Sequence, residues 1–296
     1  MLLTPDCIHC VFKASLNAIR SLTNDDEITK GLAQRILDIP ALRGLDWSVT
    51  SPQVIESAWL IITETLGQED PYRQLKDHQT RRAMELYPRL KKLIDGSQDP
   101  LETAIRIAVM GNWIDLMWSF GSEDVAFLIS ELENMAFPSE ALDQLANEIA
   151  SSGVLVYLGD NSGEIVFDRL LIETMRDLHH IDTFFVVRSR PTLNDATLRE
   201  AHMVEMQKVA LVMENGINGP FPGTSIARCS PRVRNLLGKA DLVISKGGGN
   251  FDSLHEERHL VRKVAFLLMS KCAPYVSHFG VPLKQPIVAL YSNHES

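Results

Sequence analysis

The chain has 296 residues, 45% of them apolar and 23% charged, with a formal net charge of −9. That length allows about two domains, and that balance is ordinary for a globular protein with a sizeable core. An acidic chain without a basic stripe speaks against a nucleic-acid binder, and no apolar run approaches the roughly 20 residues of a membrane span.

The opening, MLLTPDCIHC, shows neither a basic segment nor a long apolar one, so no secretory signal is expected and the cytoplasm is the expected location. Four cysteines are present: Cys7, Cys10, Cys229 and Cys272. Cys7 and Cys10 have metal or redox spacing, but they precede a helical pattern and not a βαβ unit. Two ligands are too few for zinc, and His9 and Cys272 are the candidates to complete a set. A structural or auxiliary metal and plain buried thiols both fit this pattern.

Up to about residue 150 the chain reads as helices. EITKGLAQRILDI is followed by SPQVIESAWLIITETLG (51–67), which opens with Ser51 as N-cap and Pro52 in the first turn and stops at Gly67. YRQLKDHQTRRAMELYPRLKKLI carries Pro88, expected to bend or end its helix, and its RLKKL segment reads as a solvated face. DPLETAIRIAVMGNWIDLM (99–117) opens with Asp99 as N-cap and Glu102 as its reciprocal partner. VAFLISELENM and SEALDQLANEIA complete the helical set.

Behind Ser151-Ser152-Gly153 the pattern changes. VLVYLG, TFFVVRS, ALVME, DLVISKG and PIVALY read as strands. Helical patterns lie between them: GEIVFDRLLIETMRDL, NDATLREAHMVEMQ, SPRVRNLLGKA and NFDSLHEERHLVRKVAFLLM. Such alternation predicts a mainly parallel, Rossmann-like sheet covered on both faces. The expected organisation is a helical domain over 1–150 packed on a three-layer α/β/α domain over 151–296 that binds metal and phosphate.

In such sheets ligands sit beyond the carboxyl ends of the strands. Those ends supply Asp160-Asn161 with Gly163-Glu164, then Asn194-Asp195, then ENGINGPFPGTS, and then Lys246-Gly247-Gly248-Gly249-Asn250. Asp160, Asn161 and Asp195 offer hard oxygen ligands suited to Mg²⁺ or Mn²⁺. Lys246 is a compact charge suited to phosphate, and Gly247 to Gly249 let backbone N–H groups approach an anion. Asn250 is expected to cap a helix whose positive end faces the same crevice. Taken singly, Asp160 and Asp195 are equally readable as helix N-caps, and KGGGN as a flexible turn. Neither a GxGxxG fingerprint nor a P-loop is present.

GDNSGEIVFDRLLI, RPTLNDAT, PGTS, DLVISKGGGNFDSL and GNWID (111–115) together resemble the motifs of the metal-dependent damage-control phosphatase family. Cys7-X-X-Cys10 and the SKC ending at Cys272 resemble its smaller archaeal and bacterial branch, in which the three cysteines offer a possible second metal site. The resemblance implies a helical domain beside an α/β/α sandwich. It implies that Asp160, Asn161 and Asp195 hold a divalent cation (Mn²⁺, Mg²⁺, Co²⁺ or Ni²⁺) and that Lys246 contacts the substrate phosphate. Asn194, Gly223, Thr224, Gly247 and Asn250 would line the pocket, and Asn112 and Asp115 would reach it from the helical half. Glu164 and Asp168 would assist from behind. Gly248 stands where many relatives have Gln, and Ser225 where Asp is common. The expected activity is hydrolysis of phosphate monoesters of small metabolites such as sugar phosphates, phosphopantetheine derivatives or damaged cofactor phosphates. Two other readings are an S-adenosylmethionine-dependent carboxyl methyltransferase and a non-catalytic metal-binding protein.

Overall fold

The computed structural model describes residues 1–118, 130–132 and 134–293, with the side chains of 113–118 outside that description. Its first half is helical for local reasons. Helix α1 (Pro5–Leu22) starts on a proline, and α2 (Asp26–Leu37) starts where the Asp25 carboxylate accepts from the N–H groups of Glu27 and Ile28. Helix α3 (Ser51–Leu66) is capped by Thr50, one residue before the expected Ser51. The Gln53 side chain completes the box, and Gly67 ends the helix at φ 64°. Ser51 Oγ instead donates to Asp252 Oδ2 at 2.7 Å, which ties α3 to the second half of the chain. Val11, Ala18 and Ile19 of α1, Leu32 and Ile36 of α2, and Val54, Ala58 and Trp59 of α3 form one apolar cluster.

Helix α4 (Arg73–Asp95) runs through Pro88 without ending there, at the cost of one intrahelical hydrogen bond. Helix α5 (Pro100–Trp118) is capped as expected, with Asp99 Oδ1 accepting from Glu102 N at 2.9 Å. Helix α6 (Ser139–Ser151) leads into the sheet.

From there strands and helices alternate: β1 (Val154–Leu158), α7 (Ile165–Leu178), β2 (Asp182–Val187), α8 (Leu198–Met203), β3 (Leu211–Glu214), α9 (Pro231–Lys239), β4 (Leu242–Lys246), α10 (Gly247–Leu254), β5 (Lys263–Met269), α11 (Ala273–Phe279) and β6 (Pro286–Ser292). The strand order is β3-β2-β1-β4-β5-β6. The first five strands are parallel, and β6 returns antiparallel to β5.

Period-2 side chains divide the sheet between two cores. Leu155 and Tyr157 of β1, Leu242 and Ile244 of β4, and Ala265 and Leu267 of β5 pack with α4 to α7. Val156, Leu158, Val243, Val264 and Phe266 pack on the other face with α9, α10 and α11. The architecture is therefore a three-layer α/β/α sandwich. No described helix is long and apolar enough to cross a membrane.

One expected element is overturned. Residues 250–269, read as a single helix, form the end of α10, a 3₁₀ segment (His255–Leu260) and strand β5. An uninterrupted apolar run such as VAFLL has no polar face, so its periodicity cannot separate helix from strand. Burial between both cores selects the strand, and burying Phe266 there stabilises the fold by roughly 1.5–3 kcal/mol.

The 3₁₀ segment carries a pH effect. His255 packs among Phe251, His278 and Tyr291, with ring centroids 5.0, 5.0 and 5.8 Å away. Burial, with Arg258 and the N-terminal ammonium nearby, pulls its pKa down from 6.5 to about 4. The unfolded chain then binds this proton more readily than the folded one. The stability that His255 contributes is complete above pH 6.5 and is lost as pH falls through about 4. Urea titrations across this interval should show stability falling with acid by up to about one proton's slope. His255→Gln should flatten that limb, and an unchanged slope would assign the acid sensitivity elsewhere.

Candidate active site

The order of strands reverses beside β1: the chain steps outward through β2 and β3 on one side, then crosses back to place β4 on the other. The crevice at their carboxyl ends is where an open α/β sheet places a ligand. A cavity of about 380 Å³ lies there. Asp160, Asn161, Asn194, Asp195, Gly248 and Gly249 line its sheet side, and Val11, Ala14, Pro52 and Ile55 of α1 and α3 roof it. The first helices thus close a site whose chemistry comes from the strand ends.

Neither Asp160 nor Asp195 is a helix cap. Helix α7 begins only at Ile165 behind Glu164, and α8 begins at Leu198, capped by Thr197 and Glu200. The two carboxylates are held instead by Arg188, one residue past β2. Its Nε donates to Asp195 Oδ2 at 2.6 Å, and its Nη2 donates to Asp160 Oδ1 at 3.0 Å. Its Nη1 donates to Asn250 Oδ1 at 2.8 Å and to Thr224 Oγ1 at 3.3 Å. Arg188 is 2% exposed, so these are low-dielectric, charge-assisted bonds.

Asn161 and Asp195 also meet through a backbone bridge, and Ser162 N donates to Asn194 O at 2.9 Å. This pairing brings the loops after β1 and β2 together. Leu193, just before them, has φ 43°, an uncommon value for a branched side chain and a local strain held by the surrounding packing.

Burial pushes the Asp160 carboxyl well above its usual range. Neighbouring Asp195 and Glu164 push the same way, and Arg188 and Lys271 offset only part of this. Asp195 is likewise raised by burial against the pull of Arg188. Two crowded, buried carboxylates are stabilised by added positive charge. Asn161 Nδ2 donates to Glu164 Oε2 at 3.0 Å, which turns the amide oxygen away from Glu164. The same Nδ2 lies 3.3 Å from Asp160 Oδ2, so the wall carries two carboxylates and an amide whose oxygen is left for a ligand. Among the described residues no three His, Cys, Asp or Glu side chains converge on one point.

Lys246 is placed differently from the expected phosphate contact. It ends β4 fully buried, beneath the cavity and not on its wall. Its Nζ donates to Asp168 Oδ1 at 2.6 Å and to Ala108 O at 2.7 Å, and it pairs with Glu164 Oε1 at 2.7 Å. Glu164 is held below the usual carboxylate range although burial opposes this, because Lys246 and Asn112 favour its charge. Burial pushes Asp168 up to about 7 despite Lys246, and Tyr157 donates to it at 2.7 Å. Glu164 and Asp168 thus sit behind the cavity, as expected of supporting residues.

Asn112 of α5 also stays behind the cavity. It donates to Glu164 Oε2 at 3.0 Å, so it orients the group that orients Asn161. Asp115 lies outside the described side chains. Asn250 does not cap α10, because it lies one turn inside the helix that Lys246 caps. Its amide donates to Gly159 O at 3.1 Å and to Lys246 O at 2.8 Å, and its oxygen accepts from Arg188 and Thr224. Asn250 and Thr224 therefore brace Arg188 and do not line the cavity. Gly223 packs under α10, where a Cβ would meet Ser253 Oγ and Gly249 O.

Cys7, Cys10 and Cys272 are free thiols along one wall of the cavity. Burial raises the Cys272 thiol, and Cys7 and Cys10 add to the effect electrostatically, so the three lie in one neighbourhood. Cys229 is buried in the core below the other face of the sheet.

A model of the damage-control phosphatase ARMT1-like domain matches residues 3–287. The chain belongs to this family. It is 28% identical over 286 residues to a damage-control phosphatase of Archaeoglobus fulgidus, which spans 95% of this chain and 96% of that protein. It is 27% identical to a damage-control phosphatase of Pyrococcus horikoshii, with 94% of each chain covered. A crystal structure of a DUF89 family protein from Pyrococcus horikoshii, 23% identical, superimposes with a TM-score of 0.83 and covers 97% of this chain and 98% of that one. These relatives support a phosphatase role in metabolite repair. Within that family setting, Arg188 is the residue that sequence reasoning missed. The available signal was a full charge at the end of an otherwise apolar strand, which only a buried counter-charge tolerates.

Proposed function

We propose that the protein is a divalent-cation-dependent phosphatase. Its substrates would be phosphate monoesters of small metabolites: sugar phosphates, phosphopantetheine-type compounds or damaged cofactor phosphates. The cytoplasm is the expected place of action. The carrying observation is the convergence of Asp160, Asn161 and Asp195 on one cavity wall, with each carboxylate tied to Arg188 through a single oxygen. The hard-oxygen donor set fits Mn²⁺, Mg²⁺, Co²⁺ or Ni²⁺, and burial, which raises the pKa of both carboxyls, makes an added cation favourable to their charged forms. When bound, such a cation supplies Lewis acidity toward a phosphoryl group.

The chain's own part is positioning. Arg188 fixes the angle between the two carboxylates, and Glu164 fixes the amide of Asn161. Lys246 and Asn112 hold Glu164 in turn. Ala14, Val11 and Ile55 close the roof, which restricts water around a substrate below them.

Chelation tests the reading. Protein treated with EDTA and desalted should lose p-nitrophenyl phosphate hydrolysis by about 100-fold or more and regain it on addition of Mn²⁺, Co²⁺, Ni²⁺ or Mg²⁺. Full activity in the presence of chelator would end the cation-dependent reading. Asp160→Asn should not be rescued by any of these ions.

A further inference from the structure

The carboxylate wall accounts for one end of a phosphate ester. The other end, the alcohol, meets a roof that is apolar and comes from three separate parts of the chain. Cys7, Val11 and Ala14 stand at i, i+4 and i+7 of α1 and present one helical face to the cavity. Pro52 and Ile55, in the first turns of α3, face it beside them. Leu193 closes the side next to Asn194 and Asp195, on the loop after β2.

Leu193 is the least expected of these. Its φ of 43° lies in the left-handed region, which glycine and asparagine enter easily and a branched side chain does not. The next residues meet the loop after β1, so the turn itself has a purpose, but a glycine would serve that purpose with less strain. What leucine adds is its side chain. Although it comes from the sheet half, it packs with the apolar cluster of α1 to α3. Ala14, Ile55 and Leu193 are each half-buried and line the cavity, so each has apolar surface left to cover.

The polar groups on this side are spent on one another. Ser51 Oγ donates to Asp252 Oδ2 at 2.7 Å, and the Tyr275 hydroxyl donates to Asp252 Oδ1 at 3.2 Å. The Cys7 thiol lies 3.3 Å from Thr4 Oγ1, and a thiol otherwise packs as a small hydrophobe. A hydroxyl brought under α1 and α3 would give up its water for described side chains that are already paired or have little to offer it.

We infer that Val11, Ala14, Ile55 and Leu193 form the leaving-group pocket, and that it selects phosphate monoesters of compact alkyl or aryl alcohols over those of polyhydroxylated sugars. The inference rests on the phosphatase reading, with its cation at Asp160 and Asp195, and names the substrate class within it. Burying an unpartnered hydroxyl is unfavourable, whereas an alkyl group gains by leaving water. The cavity of about 380 Å³ is at the small end of ligand sites, so the alcohol is compact.

Two esters make the comparison direct. 2-Methylbutyl phosphate is glycerol 3-phosphate with each free hydroxyl replaced by a methyl group, so size and shape are matched. The hydroxylated ester has the better leaving group, so a preference for the alkyl ester must come from the protein. With Mn²⁺-loaded protein and phosphate release as the readout, kcat/KM should be about 10-fold or more higher for the alkyl ester. Leu193→Asn, whose side chain accepts the left-handed turn, and Ile55→Thr should each narrow that ratio by about 5-fold or more. The variants lie in different elements, so one remains informative if the other fails to fold.

The outcomes separate the two ideas. If p-nitrophenyl phosphate is hydrolysed but the alkyl ester shows no advantage over the glycerol ester, the apolar pocket is overturned while the phosphatase reading stands. An advantage that neither variant reduces would overturn the assignment to Leu193 and Ile55. If none of the three esters is hydrolysed with Mn²⁺, both readings are overturned.

Discussion

Lys246→Met should cost about 3–5 kcal/mol of folding stability, the scale for removing one partner from a buried ion pair. The wild-type ammonium is fully buried between Glu164 Oε1 at 2.7 Å and Asp168 Oδ1 at 2.6 Å. Deleting it leaves buried Glu164 and Asp168 facing each other without their shared counter-charge. Methionine fills the volume, so packing is roughly conserved and the loss reports electrostatics. Urea denaturation at neutral pH is the measurement.

The double variant Lys246→Met/Asp168→Asn discriminates further. It removes the orphaned charge and should recover at least half of the loss, giving a coupling energy within the usual 0.5–3 kcal/mol range or about its upper end. A Lys246→Met protein within about 1 kcal/mol of wild type would mean that the ammonium is not in the buried cluster. That result would return Lys246 to the cavity as a phosphate ligand.

This distinction shows where sequence reasoning stops. A short apolar run stopped by glycine suffices for β1 and β4, because Leu155, Tyr157, Val156 and Leu158 serve two cores and must be apolar throughout. The positions of Asp160 and Gly247 just past strand ends, and of Asp195 in the loop after β2, follow from the same pattern. The direction of a side chain at a strand end does not. Lys246 and Arg188 both sit at such ends, yet one is drawn beneath the cavity by two carboxylates and the other lies between its acidic walls. Apart from Asp195, seven residues from Arg188, their partners are supplied by α7 and by loops distant in sequence, so no local window contains the whole arrangement. That Lys271 lines the cavity was hidden for a related reason. Reading β5 as helix erased the strand end after which it stands.

The same geometry makes Gly247 the position where a single methyl group should do the most damage to activity. Its φ is 73°, a left-handed value that costs a non-glycine residue roughly 1–2 kcal/mol. A Cβ there would also fall within the van der Waals envelope of the Asp160 carboxylate, overlapping Oδ2. Asp160 cannot yield freely, because Arg188 holds its other oxygen at 3.0 Å and Ala196 N donates to its backbone carbonyl at 2.8 Å. The carboxylate must rotate off its bond to Arg188 or α10 must shift. Displacements near 1 Å in a positioned catalytic group cost about 100-fold in rate. Gly247→Ala is therefore expected to lose about 100-fold or more in kcat while its stability falls by only about 1–3 kcal/mol. Gly31→Ala is the matched control: the glycine is exposed within α2 with nothing within 4 Å of its added Cβ. It should keep wild-type kinetics and gain about 0.5–1 kcal/mol from helix propensity. If Gly247→Ala retained wild-type kcat with Mn²⁺, Asp160 would not be held against the start of α10, and the carboxylate wall would need a different construction.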